Sequence, residues 1–294
     1  MKVLILGASG FVGRHLTNTL QAAGHTVVRG VRQPSHDHDI AVDFCKDTRK
    51  QDWLPKLNTI DVVINAVGVL RDTMQQPMKL VLEQTPIALF SACQESGVKR
   101  IVQISALGLD KGVETAYFIN RRAPEAYLTN LPSPMRWLIL RPSVIYGDDG
   151  VSAKMFRFLA SLPIHSLPAG GRQRLQPVHI DDIGSAITHW LDDPNARNQT
   201  VAAVGLEATD LRGMLDSYRQ QLQQAKAWHI NIPAWLVSIS AKIGDYCPAS
   251  PLCSDTLAML NAGNTENYQA FSALLGQPPK SYQTFIQSGK KADV

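Results

Sequence analysis

Val3-Leu4-Ile5-Leu6-Gly7-Ala8-Ser9-Gly10-Phe11-Val12-Gly13 opens the chain directly after Met1-Lys2. Four apolar residues in a row predict a buried strand, and the first glycine ends it. Beyond the glycines, Val12, Leu16 and Leu20 recur at four-residue spacing up to Gly24, which predicts a helix that the glycine stops. Glycines at such a strand-to-helix turn let the backbone bend tightly and come close to a pyrophosphate, which then rests on free amides at the positive end of the helix. The expected ligand is a dinucleotide held by Gly7, Ser9, Gly10, Phe11, Val12 and Gly13. The competing reading is an ordinary tight turn.

Working outward, short apolar runs alternate with helical patterns. Residues 26–31, 61–66, 100–105 and 137–140 read as strands. A helix is expected between the second and third of these, with Pro86 near its first turn, Leu89, Phe90 and Cys93 on one face, and Gly97 after its end. Continuous apolar strands separated by helices predict an α/β fold, a doubly wound, Rossmann-like parallel sheet. After Gly147 the pattern changes to Pro- and Gly-rich segments around helices at 153–162, at 211–222 with Thr209 and Asp210 as cap material, and from Ser254 with Ser254 as its cap. Residues 199–205 read as a late strand returning to the sheet. The expected division is a dinucleotide-binding domain of residues 1–146 joined by 176–205, with a small, mostly helical, nested substrate region of residues 147–175 and 206–294.

Composition narrows the classes. The 294 residues are 45% hydrophobic and 18% charged, which excludes a disordered chain. A net charge of +4 spread over this length does not argue for nucleic acid. Cys45, Cys93, Cys247 and Cys253 stand at irregular spacing and read as thiols rather than a disulfide framework. With no leader or membrane segment in evidence, the expected location is cytoplasmic. No metal site is expected: Ser35-His36-Asp37-His38-Asp39 lacks helical or paired-strand ligand spacing, and Cys247 and Cys253 lack partner ligands.

Cofactor type is argued from the end of the second strand. An NAD site usually places an acid there for the ribose 2′-hydroxyl, whereas this chain has Val31-Arg32, about twenty residues past the loop. A guanidinium suits a 2′-phosphate, and Arg14 could help, so NADP(H) is favoured over NAD(H). A solvated loop arginine is the alternative reading of Arg32. Asp43-Phe44 is expected to pass the adenine, and Asn65-Ala66-Val67-Gly68 ends a strand where open parallel sheets place their ligands.

Gly7–Gly13, Asn65–Asp72 (NAVGVLRD), Gln103–Asp110 (QISALGLD), Leu140–Gly147 (LRPSVIYG) and Gln176–Ile183 (QPVHIDDI) together resemble the short-chain dehydrogenase/reductase superfamily. Within it the chain looks closest to the atypical subgroup that includes relatives of the nucleotide-binding accessory subunit of respiratory complex I. The family works with Ser, Tyr and Lys, the last two four apart on one helix face. The resemblance places Ser105 and Tyr117 in the first two roles, but four residues after Tyr117 stands Arg121. Arginine keeps the positive charge and can contact ribose hydroxyls, yet it does not release a proton at working pH. Arg122 points to another helix face and does not restore the pattern. A packed aromatic is the alternative reading of Tyr117. His179 and Asp182 read as structural.

Two functions follow as expectations. One is an NADP(H)-dependent oxidoreductase acting on a small carbonyl or alcohol, with Ser105, Tyr117 and Arg121 at the reacting centre. The other is a weakened or inactive NAD(P)(H)-binding protein with a structural, sensing or partner-binding role. The substrate would be a small molecule, with the apolar runs 153–162 and 235–243 hinting at an apolar one; the second run could also rest on a protein partner or a membrane surface.

Overall fold

A computed structural model describes residues 1–132, 134–246 and 253–286. Thirteen strands occur along these residues: β1 (Lys2–Leu6), β2 (Thr26–Val31), β3 (Asp39–Ala41), β4 (Val62–Asn65), β5 (Arg100–Ile104), β6 (Arg136–Pro142), β7 (Ile145–Tyr146), β8 (Ile164–Pro168), β9 (Arg174–Leu175), β10 (Val178–His179), β11 (Gln199–Ala203), β12 (Thr209–Asp210) and β13 (Trp228–Ile232). The helices are α1 (Phe11–Ala22), α2 (Lys50–Trp53), α3 (Thr85–Ser96), α4 (Ala116–Thr129), α5 (Val151–Ser161), α6 (Ile180–Asp192), α7 (Leu211–Gln221), α8 (Ala234–Asp245), α9 (Ser254–Asn261) and α10 (Gln269–Leu275). The described chain divides into two compact units. The first comprises Met1–Pro142, Ile183–Val201 and Leu274–Gly276; the second comprises Ser143–Asp182, Ala202–Ala273 and the segment from Gln277 onward.

The first unit is built on a seven-stranded sheet in the order β11-β6-β5-β4-β1-β2-β3. The pairs β1·β2, β1·β4, β2·β3, β4·β5 and β5·β6 are all parallel. Val3 to Leu6 and Val62 to Ile64 are fully buried, as continuous apolar strands of a sheet covered on both faces must be. The chain winds outward from β1 in both directions, so strand order reverses between β1 and β4. Ligands of such sheets bind at this switch point, outside the carboxyl ends of the strands.

Local chemistry explains the helix ends. Helix α1 buries Gly13, Leu16, Thr17 and Leu20 on one stripe, and Gly24 follows it in the left-handed region at φ +84°. A five-residue π turn, Leu80–Gln84, leads into α3, and Gly97 closes that helix at φ +78°. The Thr115 hydroxyl caps α4 by accepting from the Phe118 amide at 3.3 Å. Arg100 on β5 donates to the Trp190, Leu191 and Asp193 carbonyls at the end of α6, where the helix has unpaired acceptors. Glu125 of α4, almost fully buried, receives a forked pair from Arg141 of β6.

The second unit has a core around Tyr146, Leu167, Met214, Leu215, Tyr218 and Phe285. Its small sheets are β7·β10, β9·β12 and β8·β13, the last a parallel pair with His229 opposite His165. Asp210 caps α7, accepting from the Gly213 amide at 2.7 Å. Cys253, and not Ser254, caps α9: its sulfur accepts from the Thr256 amide while Thr256 answers to the Cys253 amide. A serine inside the first turn cannot do both, which corrects the expectation. His179 packs against the Tyr146 and Phe285 rings, at 5.8 and 5.1 Å, and these two rings also touch each other at 4.9 Å; Asp182 accepts from the Lys280 amide at 2.8 Å. Both tie the end of the chain into the core of this unit. Burial pushes the Tyr146 hydroxyl up to about 12, which removes it as an acid or base near neutral pH. No helix among the described residues is long and apolar enough to cross a membrane.

Candidate functional site

A cleft open to solvent lies at the switch point of the first unit. It is lined by Gly7, Ser9 and Gly10 of the first turn, Arg32 beyond β2, Asp43 and Phe44 beyond β3, and Ala66, Val67 and Gly68 beyond β4. Six other residues expected to meet the cofactor, Phe11, Val12, Gly13, Arg14, Tyr117 and Arg121, stand outside this lining. Phe11 lies against His15 at 5.1 Å, Val12 is half-buried on α1, and Gly13 is buried beneath the turn. Arg14 donates to the Ser9 carbonyl at 2.7 Å, bracing the loop from outside.

Glycine is required here by close approach. A Cβ on Gly13 would sit 2.1 Å from the Gly7 carbonyl oxygen, and one on Gly7, at φ +74°, would meet the Ala66 carbonyl oxygen at 3.1 Å. Gly10 caps α1 with no side-chain hydrogen bond, so the first amides of the helix keep no internal acceptor. An anion placed there takes both those amides and the positive end of the helix dipole. This cradle fits the pyrophosphate of a dinucleotide.

The far wall is made by β2 and the segment after β3. Arg32 is exposed, and no carboxylate pairs with it among the described residues. Asp43 is turned into its own loop, its Oδ1 accepting from the Cys45 amide at 3.0 Å. Phe44 is buried, edge-on to Trp53 at 5.5 Å, and offers the cleft a wall more than a free stacking face. Gly30, Val31, Val42, Cys45, Val69, Gln76 and Val81 also line the cleft and were not among the expected residues. Gly30 and Val31 adjoin Arg32 and follow from the same strand end; a Cβ on Gly30 would press within 2.7 Å of the Leu6 side chain. Cys45 follows Phe44, and burial pushes its thiol pKa up, leaving it a poor nucleophile. Gln76 and Val81 carry no sequence signal, because the chain returns to the cleft only through folding.

Tyr117 and Arg121 come together next to the β4 end of this cleft, where Arg121 reaches the Ile104 carbonyl immediately before Ser105. The Tyr117 and Arg121 side chains are nearly fully buried, and the guanidinium lies over the Tyr117 ring, Cζ to centroid 4.6 Å. Arg121 Nη1 donates to the Ile104 carbonyl at 3.1 Å, and a Cβ on Gly68 would touch Nη2 at 2.9 Å. Ser105 Oγ and Arg121 Nε are buried without a hydrogen-bond partner. Unsatisfied buried donors are costly and uncommon, so each of these two groups is open to a polar ligand atom. Arg122 is engaged elsewhere, on the Leu109 and Val113 carbonyls and Glu114. Asn65 is buried and has a structural part: its Nδ2 donates to Gln103 and its Oδ1 receives the Val67 amide, which sets the turn that brings Val67 and Gly68 to the cleft.

In the SHDHD segment His36 turns to Asp39 at 3.4 Å, and Arg29 adds a cation to the same carboxylate. The Asp39 side chain is buried beneath the otherwise exposed loop and anchors it through these contacts and the Ser35 and His36 amides. Cys45, Cys93 and Cys253 are free thiols; Cys247 lies outside the described residues.

A protein-family profile described as NAD(P)H-binding matches residues 7–161. A curated relative, the mitochondrial NADH dehydrogenase [ubiquinone] 1 alpha subcomplex subunit 9 of Mus musculus, is 27% identical over 214 residues, 68% of this chain and 56% of that protein. The chain thus spans just over half the length of that relative. The UDP-glucose 4-epimerase of Vibrio cholerae is 25% identical over 272 residues, covering 82% of this chain and 81% of the enzyme. Among solved structures, human epimerase family protein SDR39U1 with NADPH superposes at a TM-score of 0.76 with 19% identity, covering 98% of each chain.

Proposed function

Because the chain belongs to the NAD(P)H-binding family of atypical short-chain dehydrogenases/reductases, we propose that it holds NADP(H) in the cleft of its first unit, and that it works chiefly as a dinucleotide-binding protein with weakened proton-transfer chemistry. The Gly7–Gly13 turn would carry the pyrophosphate and Arg32 the 2′-phosphate, with the segment at Ala66–Gly68 beside the nicotinamide half. Arg121 would donate to the nicotinamide ribose through Nε, its unpartnered donor.

The placing of Arg121 carries this reading. In the family the cation four residues after the tyrosine is a lysine, which serves both ribose and tyrosine. Here the guanidinium lies over the Tyr117 ring and is tied to the Ile104 carbonyl. A guanidinium there can hold a ribose hydroxyl but, unlike a lysine ammonium, is not a proton carrier. A protein-contacting role agrees with relatives named as subunits of NADH dehydrogenase.

The second reading, an oxidoreductase on a small carbonyl or alcohol, is favoured by the buried, unpartnered Ser105 hydroxyl. Bound NADP(H) would supply or accept the hydride. Ser105 would hold the substrate oxygen and Tyr117 would give or take its proton. Arg121→Lys separates the two readings. NADPH oxidation is followed for both proteins with a panel of carbonyls, and NADP⁺ reduction with a panel of alcohols. No turnover by either form, with tight NADPH binding by both, supports the binding role; turnover by the unaltered chain establishes the oxidoreductase.

A further inference from the structure

The second unit contains a cluster that the dinucleotide cleft does not use. Strands β8 and β13 pair in parallel with His165 and His229 in matched register, which sets the two imidazoles side by side, 5.5 Å between centroids. Helix α7 brings Asp216 to both. Its Oδ1 lies 2.8 Å from His229 Nε2 and 3.5 Å from His165 Nδ1, and one ligand atom from each residue falls within 4.8 Å of the others.

His165 makes this more than a surface ion pair. Its side chain is fully buried, and its Nδ1 has no hydrogen-bond partner. The 3.5 Å to Asp216 is beyond an N–H···O bond. On the other side of the ring, Nε2 faces the Ala160 carbonyl at 3.4 Å, an oxygen that also accepts from Arg219 Nη1 at 3.0 Å. Nδ1 is left buried and unpartnered, facing the partly exposed Asp216 carboxylate across a gap that no hydrogen bond fills. A cation between them would be ligated by both. A backbone carbonyl behind the second ring nitrogen is also the usual way a metal-binding histidine is oriented.

We propose that His165 Nδ1, His229 Nε2 and Asp216 Oδ1 bind a divalent transition metal of the zinc class. Two imidazoles and one carboxylate are a zinc donor set, and bonds of about 2.0–2.2 Å in tetrahedral array put neighbouring donors about 3.3 Å apart. The Asp216–His165 separation already matches, and Asp216–His229 opens by about half an ångström when the metal replaces the shared proton. Asp216 and His229 line a cavity that also reaches Gln220, Lys226 and Tyr282, so the fourth position faces space for water. Arg212 Nε, 3.9 Å from Asp216, approaches the other carboxylate oxygen, Oδ2, and leaves Oδ1 to the metal.

The test uses the full chain without an affinity tag, stripped with a chelator and titrated with Co²⁺, then with Zn²⁺ in competition. One equivalent of Co²⁺ giving the intense visible bands of four-coordinate cobalt, displaced by Zn²⁺, is the expected result. Asp216→Asn and His229→Ala, both on the cavity wall, should each weaken Co²⁺ by about 100-fold or more, with circular dichroism and NADPH binding unchanged. His165 is too buried for its substitution to be decisive. Three results overturn the site: no stoichiometric binding, thiolate-to-cobalt charge transfer that places the metal on cysteines, or unchanged affinity in His229→Ala.

Discussion

Gly13→Ala puts the fit of the glycine turn to a quantitative test. The added Cβ would stand 2.1 Å from the Gly7 carbonyl oxygen and 2.7 Å from Ala8 Cα, where ordinary contact begins at 3.4 Å, so turn and helix must part by about 1.3 Å. Both neighbours are backbone, so no side chain can rotate away. Overpacking of this kind costs about 1–3 kcal/mol, here at the upper end, and alanine returns about 1 kcal/mol through its helix propensity. The net loss of stability is about 2 kcal/mol. Binding should suffer separately, because moving the turn misaims the amides that face the pyrophosphate. Losing two charge-assisted bonds of about 1.5 kcal/mol each weakens NADPH by about 100-fold. Gly97→Ala is the control: at φ +78° it carries backbone strain of about 1 kcal/mol, but nothing lies within 4 Å of its Cβ, and it is remote from the cleft. Urea unfolding of the apo protein reads the first quantity, and NADPH fluorescence titration reads the second. If Gly13→Ala keeps both the urea midpoint and NADPH affinity of the parent, the reasoning about the turn is wrong.

The remaining expectations are more local. Arg32→Ala should weaken NADPH by about tenfold or more while leaving NADH nearly unchanged, since a lost charge-assisted bond is worth about 1.5 kcal/mol; equal weakening in parallel titrations would contradict the 2′-phosphate role. Asp61 accepts from the Lys2 amide and pairs with Lys99, in that order holding its carboxyl below the usual range. Its folded pKa is depressed, so its contribution is present above the unfolded carboxylate value and lost as pH falls through the folded one. Asp61→Asn should therefore lower the thermal midpoint at neutral pH, and the gap to the parent should close in acid below about pH 4. Arg100→Met removes the donors that satisfy three carbonyls at the end of α6 and should cost about 2–3 kcal/mol in urea unfolding, with no change in NADPH affinity.

How far such properties can be read from the chain depends on how local their causes are. The run Val3–Leu6, the glycines after it and the four-residue spacing of Leu16 and Leu20 lie within one strand–turn–helix unit, so the parallel sheet and the ends of its strands were legible, and with them most of the cleft. Phe11–Arg14 show the limit: sequence places them beside the turn, but only folding sets which of their side chains line the cleft and which pack away from it. Arg121 shows it again. Helical spacing puts it on the face of Tyr117, but whether it meets the hydroxyl or the ring depends on the Ile104 carbonyl and Gly68, which arrive from two other strands.

By itself the sequence determined the α/β class, the nicotinamide-dinucleotide cradle and the presence of an arginine where the family has a lysine. These follow from neighbours within a few residues, whose geometry is set by backbone sterics and helical repeat. Only the tertiary structure decided that this arginine lies across a ring, that Gln76 and Val81 reach the cleft, and that His165, Asp216 and His229 share one point in space. Those last three are scattered over 64 positions of chain and no short-range periodicity links them. Their meeting depends on the register of two strands and the packing of one helix, which are settled by burial of apolar surface across the whole unit.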